Sequence, residues 1–133
     1  MRRLGLFVLL ACVLLLVSCS PAPASDPEVE ALIQVDLILP TGPVETLQSV
    51  PFEARVTQGE EPVADAQEVS FEFRLVGQDE HDLIDANHVE NGSYRIDKTF
   101  EAEGTYEVTA HVTARGMHVM PKKEIVVGNP GKK

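Results

Sequence analysis

The feature that most restricts the fold is a two-residue apolar period that returns along most of the chain. In Val69-Ser-Phe71-Glu-Phe73-Arg-Leu75 the apolar side chains alternate with Ser70, Glu72 and Arg74. Successive side chains of a strand point to opposite faces, so such a stretch buries one face and wets the other. The same period runs through Ile33, Val35, Leu37 and Leu39 up to Pro40, and through Phe52, Ala54 and Val56. It returns in Tyr94, Ile96 and Phe100, in Tyr106, Val108, Ala110 and Val112, and in Ile125 and Val127. Short alternating strands separated by turn signals, with no helical period beyond the N-terminal segment, predict an all-β fold. The expected architecture is an Ig-like antiparallel β-sandwich of about seven strands.

Asn91-Gly92, set between Val89-Glu90 and Ser93-Tyr94, predicts a type I′ hairpin, which needs positive φ at both central residues. Tyr106, three positions after Glu103, sits where Ig-like domains carry a tyrosine corner. The cysteine pair and core tryptophan of antibody domains are missing, since the chain has no Trp and its two cysteines both precede the alternating region.

The N-terminal segment reads as a processing signal. Met1-Arg2-Arg3 is basic, and Leu4 to Val17 is apolar, long enough for a signal h-region and short for a membrane span. It ends in Leu16-Val17-Ser18-Cys19, which resembles the bacterial lipobox, whose cysteine is lipidated and becomes the mature N-terminus. The expectation is a lipoprotein signal peptide over residues 1–18 with lipidation at Cys19; an uncleaved anchor is the alternative. Either way the fold lies outside the cytoplasm, tethered to the membrane. Ser20–Pro27 holds three prolines among small polar residues, so 19–28 reads as a flexible linker. The domain is expected at 29–128 and a disordered tail at 129–133.

Cys12 falls in the removed segment and Cys19 carries lipid, leaving no thiol for a disulfide, a zinc site or a nucleophile. The formal charge of −10 becomes −12 once Arg2 and Arg3 are removed. Such a charge repels nucleic acid and excludes it as a partner, while favouring cations.

The chemistry concentrates between His111 and Lys123. Apart from Met1, both methionines (Met117 and Met120) lie here beside two of the four histidines, His111 and His118. Imidazole suits several transition metals, and a thioether favours Cu(I). The plainer reading is a β-hairpin whose Met and His are packed or solvated. A hairpin turning at Arg115-Gly116 would set Thr113 opposite His118 and His111 opposite Met120. With Val108, Ala110 and Val112 inward, His111 would face out together with His118 and Met120. A loop one residue longer would reverse the faces. The Asn91-Gly92 turn and the connection from Gln58 to Asp65 belong to the same pole, which brings in His88. The expected copper ligands are therefore His111, His118 and Met120, completed by His88 or Met117. His81 should stay at the other end, and Asp79, Glu80, Asp82 and Asp85 around it lack EF-hand spacing.

Three segments resemble a known family: Asn87-His88-Val-Glu-Asn-Gly92-Ser-Tyr94, Phe100-Glu-Ala-Glu-Gly104-Thr-Tyr106 and, above all, His111-Val-Thr-Ala-Arg-Gly-Met117-His118-Val-Met120-Pro-Lys-Lys123. They are similar to the YtkA-like family, related to FixH-like domains, over about residues 30–128. The resemblance implies a small extracytoplasmic β-sandwich anchored in the membrane, and its FixH-like relatives are linked to assembly of copper-containing respiratory oxidases. His118-Val-Met120 also resembles the His-x-Met element of periplasmic copper chaperones, without their longer spacing pattern. The functional expectation is a non-enzymatic, lipid-anchored module that binds Cu(I) and delivers copper to a metalloprotein. A metal-free interaction domain, docking through an outward Met/His patch flanked by Lys122 and Lys123, is the second reading. A His-based hydrolytic metal site is third, because no Ser/His/acid pattern stands out.

Overall fold

A computed structural model describes residues 29–129. The expectations for the signal peptide, Cys19, the whole linker and the last four residues lie outside the described residues.

The alternating stretches form strands in the expected order, with no helix among the described residues. They are β1 (Ile33–Ile38), β2 (Ser49–Gln58), β3 (Glu61–Pro62), β4 (Glu68–Leu75) and β5 (His81–Asp85). There follow β6 (Asn87–Glu90), β7 (Ser93–Thr99), β8 (Gly104–Ala114), β9 (Met117–Val119) and β10 (Lys122–Val127). One sheet has the order β1-β2-β7-β6 with β3 on β2, and the other β10-β8-β4-β5 with β9 on β8. All strand pairs are antiparallel, and the fold is the expected all-β sandwich.

Ten strands among the described residues replace the expected seven, for local reasons. β5 and β6 are one run that leaves the second sheet at Ala86, whose N–H bonds to the carbonyl of Val69, and joins the first beside β7. β9 and β10 are one hairpin arm interrupted at Met120-Pro121, and β3 has only two residues.

The two sheets close on a core in which Phe52, Phe73 and Phe100 pack edge to face at 4.9–6.1 Å, the offset geometry that aromatic quadrupoles favour. Every buried apolar residue of the described set lies between Ile33 and Val127, so residues 33–127 hold a complete core. Lys98, from β7, stretches across the Phe73 and Phe100 rings and reaches Asp82 Oδ2 of the other sheet at 2.6 Å. Tyr106 packs on Phe100 and donates its hydroxyl to the carbonyl of Ala102 at 2.8 Å. This is the tyrosine corner read from the sequence. Asn91 and Gly92 have φ of 44° and 74°, both left-handed as a type I′ turn requires.

Candidate functional site

The phase of β8 sends Val108, Ala110 and Val112 into the core and leaves Glu107, His111 and Thr113 on the outer face of the second sheet. Beyond Ala114 the chain reverses through Arg115 and Gly116, with φ of 50° and 76°. The two-residue loop pairs Ala114 with Met117, Thr113 with His118 and Val112 with Val119. β10 resumes the same register, with Lys122 opposite Thr109, and Ala110 N–H donates to the carbonyl of Pro121 at 3.0 Å. His111 and Met120 therefore stand opposite each other, as expected. The ladder lapses between β9 and β10 because Pro121 has no N–H to contribute.

His111 and His118 share this outer face, their ring centroids 6.2 Å apart and their planes at 34°. His111 Nε2 lies 3.0 Å from Glu72 Oε2 on β4, and His118 Nδ1 lies 2.7 Å from Thr113 Oγ1. The His111 side chain is 23% exposed, whereas Met120 is 54% exposed. Two imidazoles sharing one ion through bonds of about 2.0–2.1 Å would hold their centroids roughly 5–6 Å apart. The observed pair needs only a small closure to meet that limit.

Two of the five expected ligands fall elsewhere. Met117, one residue out of phase with His118, pairs with Ala114 and packs against the core. It belongs to the opposite face from the histidines. His88 sits on β6, opposite Tyr94, with its ring 5.1 Å from the tyrosine ring. The crossing at Ala86 carries His88 into the first sheet, while His111 and His118 belong to the second. His81 pairs with Arg74, toward the end of β4 away from Glu68 and Thr113, apart from the other three as expected. The shared pole also holds: Arg115 bonds to Gln58 Oε1 and to Asp65 Oδ1, and Val56 N–H donates to Gly92 O at 2.8 Å.

Three neighbours of the histidines stand outside the expected ligand set. Glu72 and Thr113 hold one nitrogen of each histidine. Ser70 lies directly opposite His111 in the β4–β8 ladder, is 1% exposed, and its hydroxyl has no partner among the described residues. Alternation alone puts Ser70 and Glu72 on the outer face of β4, but only the pairing of β4 with β8 sets them beside His111. The two lysines that were to flank the patch are engaged. Lys122 Nζ pairs with Glu107 at 3.1 Å, and Lys123 Nζ turns under the sheet edge to the carbonyl of Leu37 at 2.6 Å. Lys122 and, after it, Arg74 hold the Glu107 carboxyl below its usual range. Among the described residues, no three His, Cys, Asp or Glu side chains converge as a metal cage. A site here would have to draw on the thioether of Met120.

The sequence profile of the YtkA-like family matches residues 29–111. The chain belongs to that family. The matched span of the YtkA-like domain ends at His111, so the arm bearing Met117, His118 and Met120 lies beyond it, short of the expected residue 128. Among curated proteins no sequence matches. An engineered protein of known structure superposes with a TM-score of 0.54 at 17% identity, covering 71% of this chain and 20% of the other. The endo-β-1,4-mannanase of Thermotoga petrophila gives 0.54 and 17%, covering 80% and 21%. The YtkA-like chain thus spans about a fifth of either structure, and at such identity the likeness concerns the fold alone.

Proposed function

We propose that this YtkA-like domain is a non-enzymatic copper-binding or copper-delivery module. In this reading it is anchored through Cys19 on the extracytoplasmic side of a bacterial membrane and serves assembly of a copper-containing metalloprotein such as a respiratory oxidase. The observation that carries the reading is the pairing of the His111 and His118 rings at 6.2 Å on an outer sheet face, with the exposed thioether of Met120 in register beside them. Two imidazoles and a thioether form a soft set that suits Cu(I). Exposure suits delivery, because a receiving protein must reach the ion to exchange ligands. The ligand set in this proposal is His111, His118 and Met120, with His88 and Met117 left out. Titration of the full chain with Cu(I) against a competing chelator tests it. Binding that is no tighter than that of a His118→Ala, Met120→Ala double variant overturns it.

A metal-free docking domain is the second reading. It is favoured by three apolar side chains that are each more than half exposed: Leu83 and Val126 on strands of the same sheet, and Met120 between its strands β9 and β10. A partner that stays bound in the presence of a chelator would support this reading over the first.

A further inference from the structure

The hydrogen bonds around the two histidines decide which nitrogen of each ring remains available. In the second sheet β8 lies between β4 and β9. His111 on β8 therefore has Glu72 on one flank and His118 on the other. Its Nε2 is engaged by Glu72 Oε2 at 3.0 Å, and an ionised carboxylate only accepts, so the proton of that bond belongs to the imidazole. A nitrogen that donates toward β4 has no lone pair for an ion held toward β9. Only Nδ1 of His111 remains. On His118 the engaged nitrogen is Nδ1, 2.7 Å from Thr113 Oγ1. The hydroxyl can accept from Nδ1–H or donate to Nδ1, and in both cases Nδ1 is occupied, so Nε2 at the exposed tip of the ring is the nitrogen an ion can reach.

We infer that Glu72 and Thr113 are positioning residues: Glu72 keeps the His111 proton on Nε2 so that Nδ1 is the free nitrogen, and Thr113 occupies Nδ1 of His118 and orients the ring so that Nε2 is the nitrogen left open to an ion. Carboxylates that accept from the non-ligating nitrogen of a metal-bound histidine fix its tautomer and orientation, and their loss lowers metal affinity about 10–100-fold. Ser70 adds a second polar group. It stands directly opposite His111, is 1% exposed, and its hydroxyl has no partner among the described residues, so an unused donor lies on the strand beside the ring. The consequence for copper rests on the reading proposed above; the His111 tautomer does not.

The test is a long-range 1H–15N correlation of the imidazole rings in the 15N-labelled full chain, recorded without metal and then with Cu(I). The expected result without metal is the Nε2–H tautomer at His111, kept in Glu72→Gln, which retains an acceptor oxygen, and lost in Glu72→Leu. With Cu(I), the large shift should fall on His111 Nδ1 and His118 Nε2. The Glu72→Leu variant should bind Cu(I) about 10–100-fold more weakly, and Glu72→Gln should recover most of the loss. An Nδ1–H tautomer at His111, or a copper shift on His111 Nε2 with Glu72 displaced, overturns the inference. The Nε2–H tautomer at His111 with no copper shift at either ring would uphold the role of Glu72 and sink the copper reading instead.

Discussion

Thr113 Oγ1 and His118 Nδ1 meet at 2.7 Å across the β8–β9 hairpin because the loop between them has two residues and no more. Side chains alternate with period two, so a one-residue insertion would exchange the faces of the whole arm. An extra glycine between Arg115 and Gly116 should turn His118 and Met120 toward the core and Met117 and Val119 to solvent. The expected outcomes are a loss of about 2 kcal/mol or more of stability, the scale of exposing an aliphatic side chain, and disappearance of His118 from any copper complex. Urea denaturation and the imidazole spectra read the two effects separately.

What the chain shows of this site in its sequence alone is what a period of two contains. The outward phase of His111, its opposition to Met120, the Arg115-Gly116 loop and the Tyr106 corner all follow from local spacing, and all are present. Period two also implied that Met117 and His118 must face opposite ways. Grouping both as ligands ignored that phase in favour of residue type. His88 is a different case. Its position depends on Ala86, where one run of residues changes sheets, and a sheet change leaves no mark in the alternation. Glu72 and Ser70 were equally hidden, because which strand pairs with β8 is a long-range matter set by the packing of both sheets.

Gly92 and Gly116 occupy equivalent turn positions with nearly the same φ, yet their surroundings differ. A Cβ at Gly92 would come within 2.5 Å of the Val56 carbonyl oxygen, whereas at Gly116 nothing lies within 4 Å. Left-handed backbone costs a side-chain-bearing residue about 1–2 kcal/mol. Gly116→Ala should lose roughly that amount, and Gly92→Ala clearly more, since backbone must move as well. Comparison of the two denaturation midpoints checks the order, and equal losses would contradict the close approach at Gly92.

Tyr94 and Tyr106 should respond unequally to loss of the hydroxyl. The Tyr94 hydroxyl is buried, donates to the Val63 carbonyl at 3.0 Å and accepts from Ala66 N–H at 3.0 Å, tying the β3–β4 connection to β7. Tyr94→Phe leaves two backbone groups without their partner, at about 1–3 kcal/mol for a buried group left unsatisfied. Tyr106→Phe breaks one bond at an exposed corner and should lose about 0.5–1.5 kcal/mol. Thermal unfolding of both variants is the measurement, with the larger drop expected for Tyr94→Phe.

Glu53 supplies a pH dependence with a definite sign. The Ser93 hydroxyl, then Arg95 and Arg55, hold its carboxyl below the usual value of 4.5 against the opposing effect of partial burial. A carboxyl whose folded pKa is depressed releases its proton more readily in the folded state. Its contribution is therefore complete above about pH 4.5 and declines as the pH falls toward and through the lower folded value. Glu53→Gln should remove part of the stability lost on acidification in that window and leave the slope near neutrality unchanged. Denaturation midpoints from pH 3 to pH 7, roughly the range over which carboxylates titrate, show whether the two curves converge at the acid end as expected.

Ser70 offers the opposite kind of test, a substitution expected to stabilise. A buried hydroxyl on a residue only 1% exposed, without a partner among the described residues, carries a desolvation cost of about 1–3 kcal/mol that no hydrogen bond offsets. Ser70→Ala removes that group with almost no change in volume, so the variant should be at least as stable as the parent and gain on the order of 1 kcal/mol. Because His111 stands directly opposite, the same variant also reports on the ring. If the hydroxyl is idle in the metal-free protein but helps to seat His111 when an ion is bound, Ser70→Ala should raise the unfolding temperature without metal and weaken Cu(I) binding in the same molecule. A loss of stability without metal would mean that Ser70 already has a partner in solution, and the orphan hydroxyl could then no longer be counted as an unused donor beside His111.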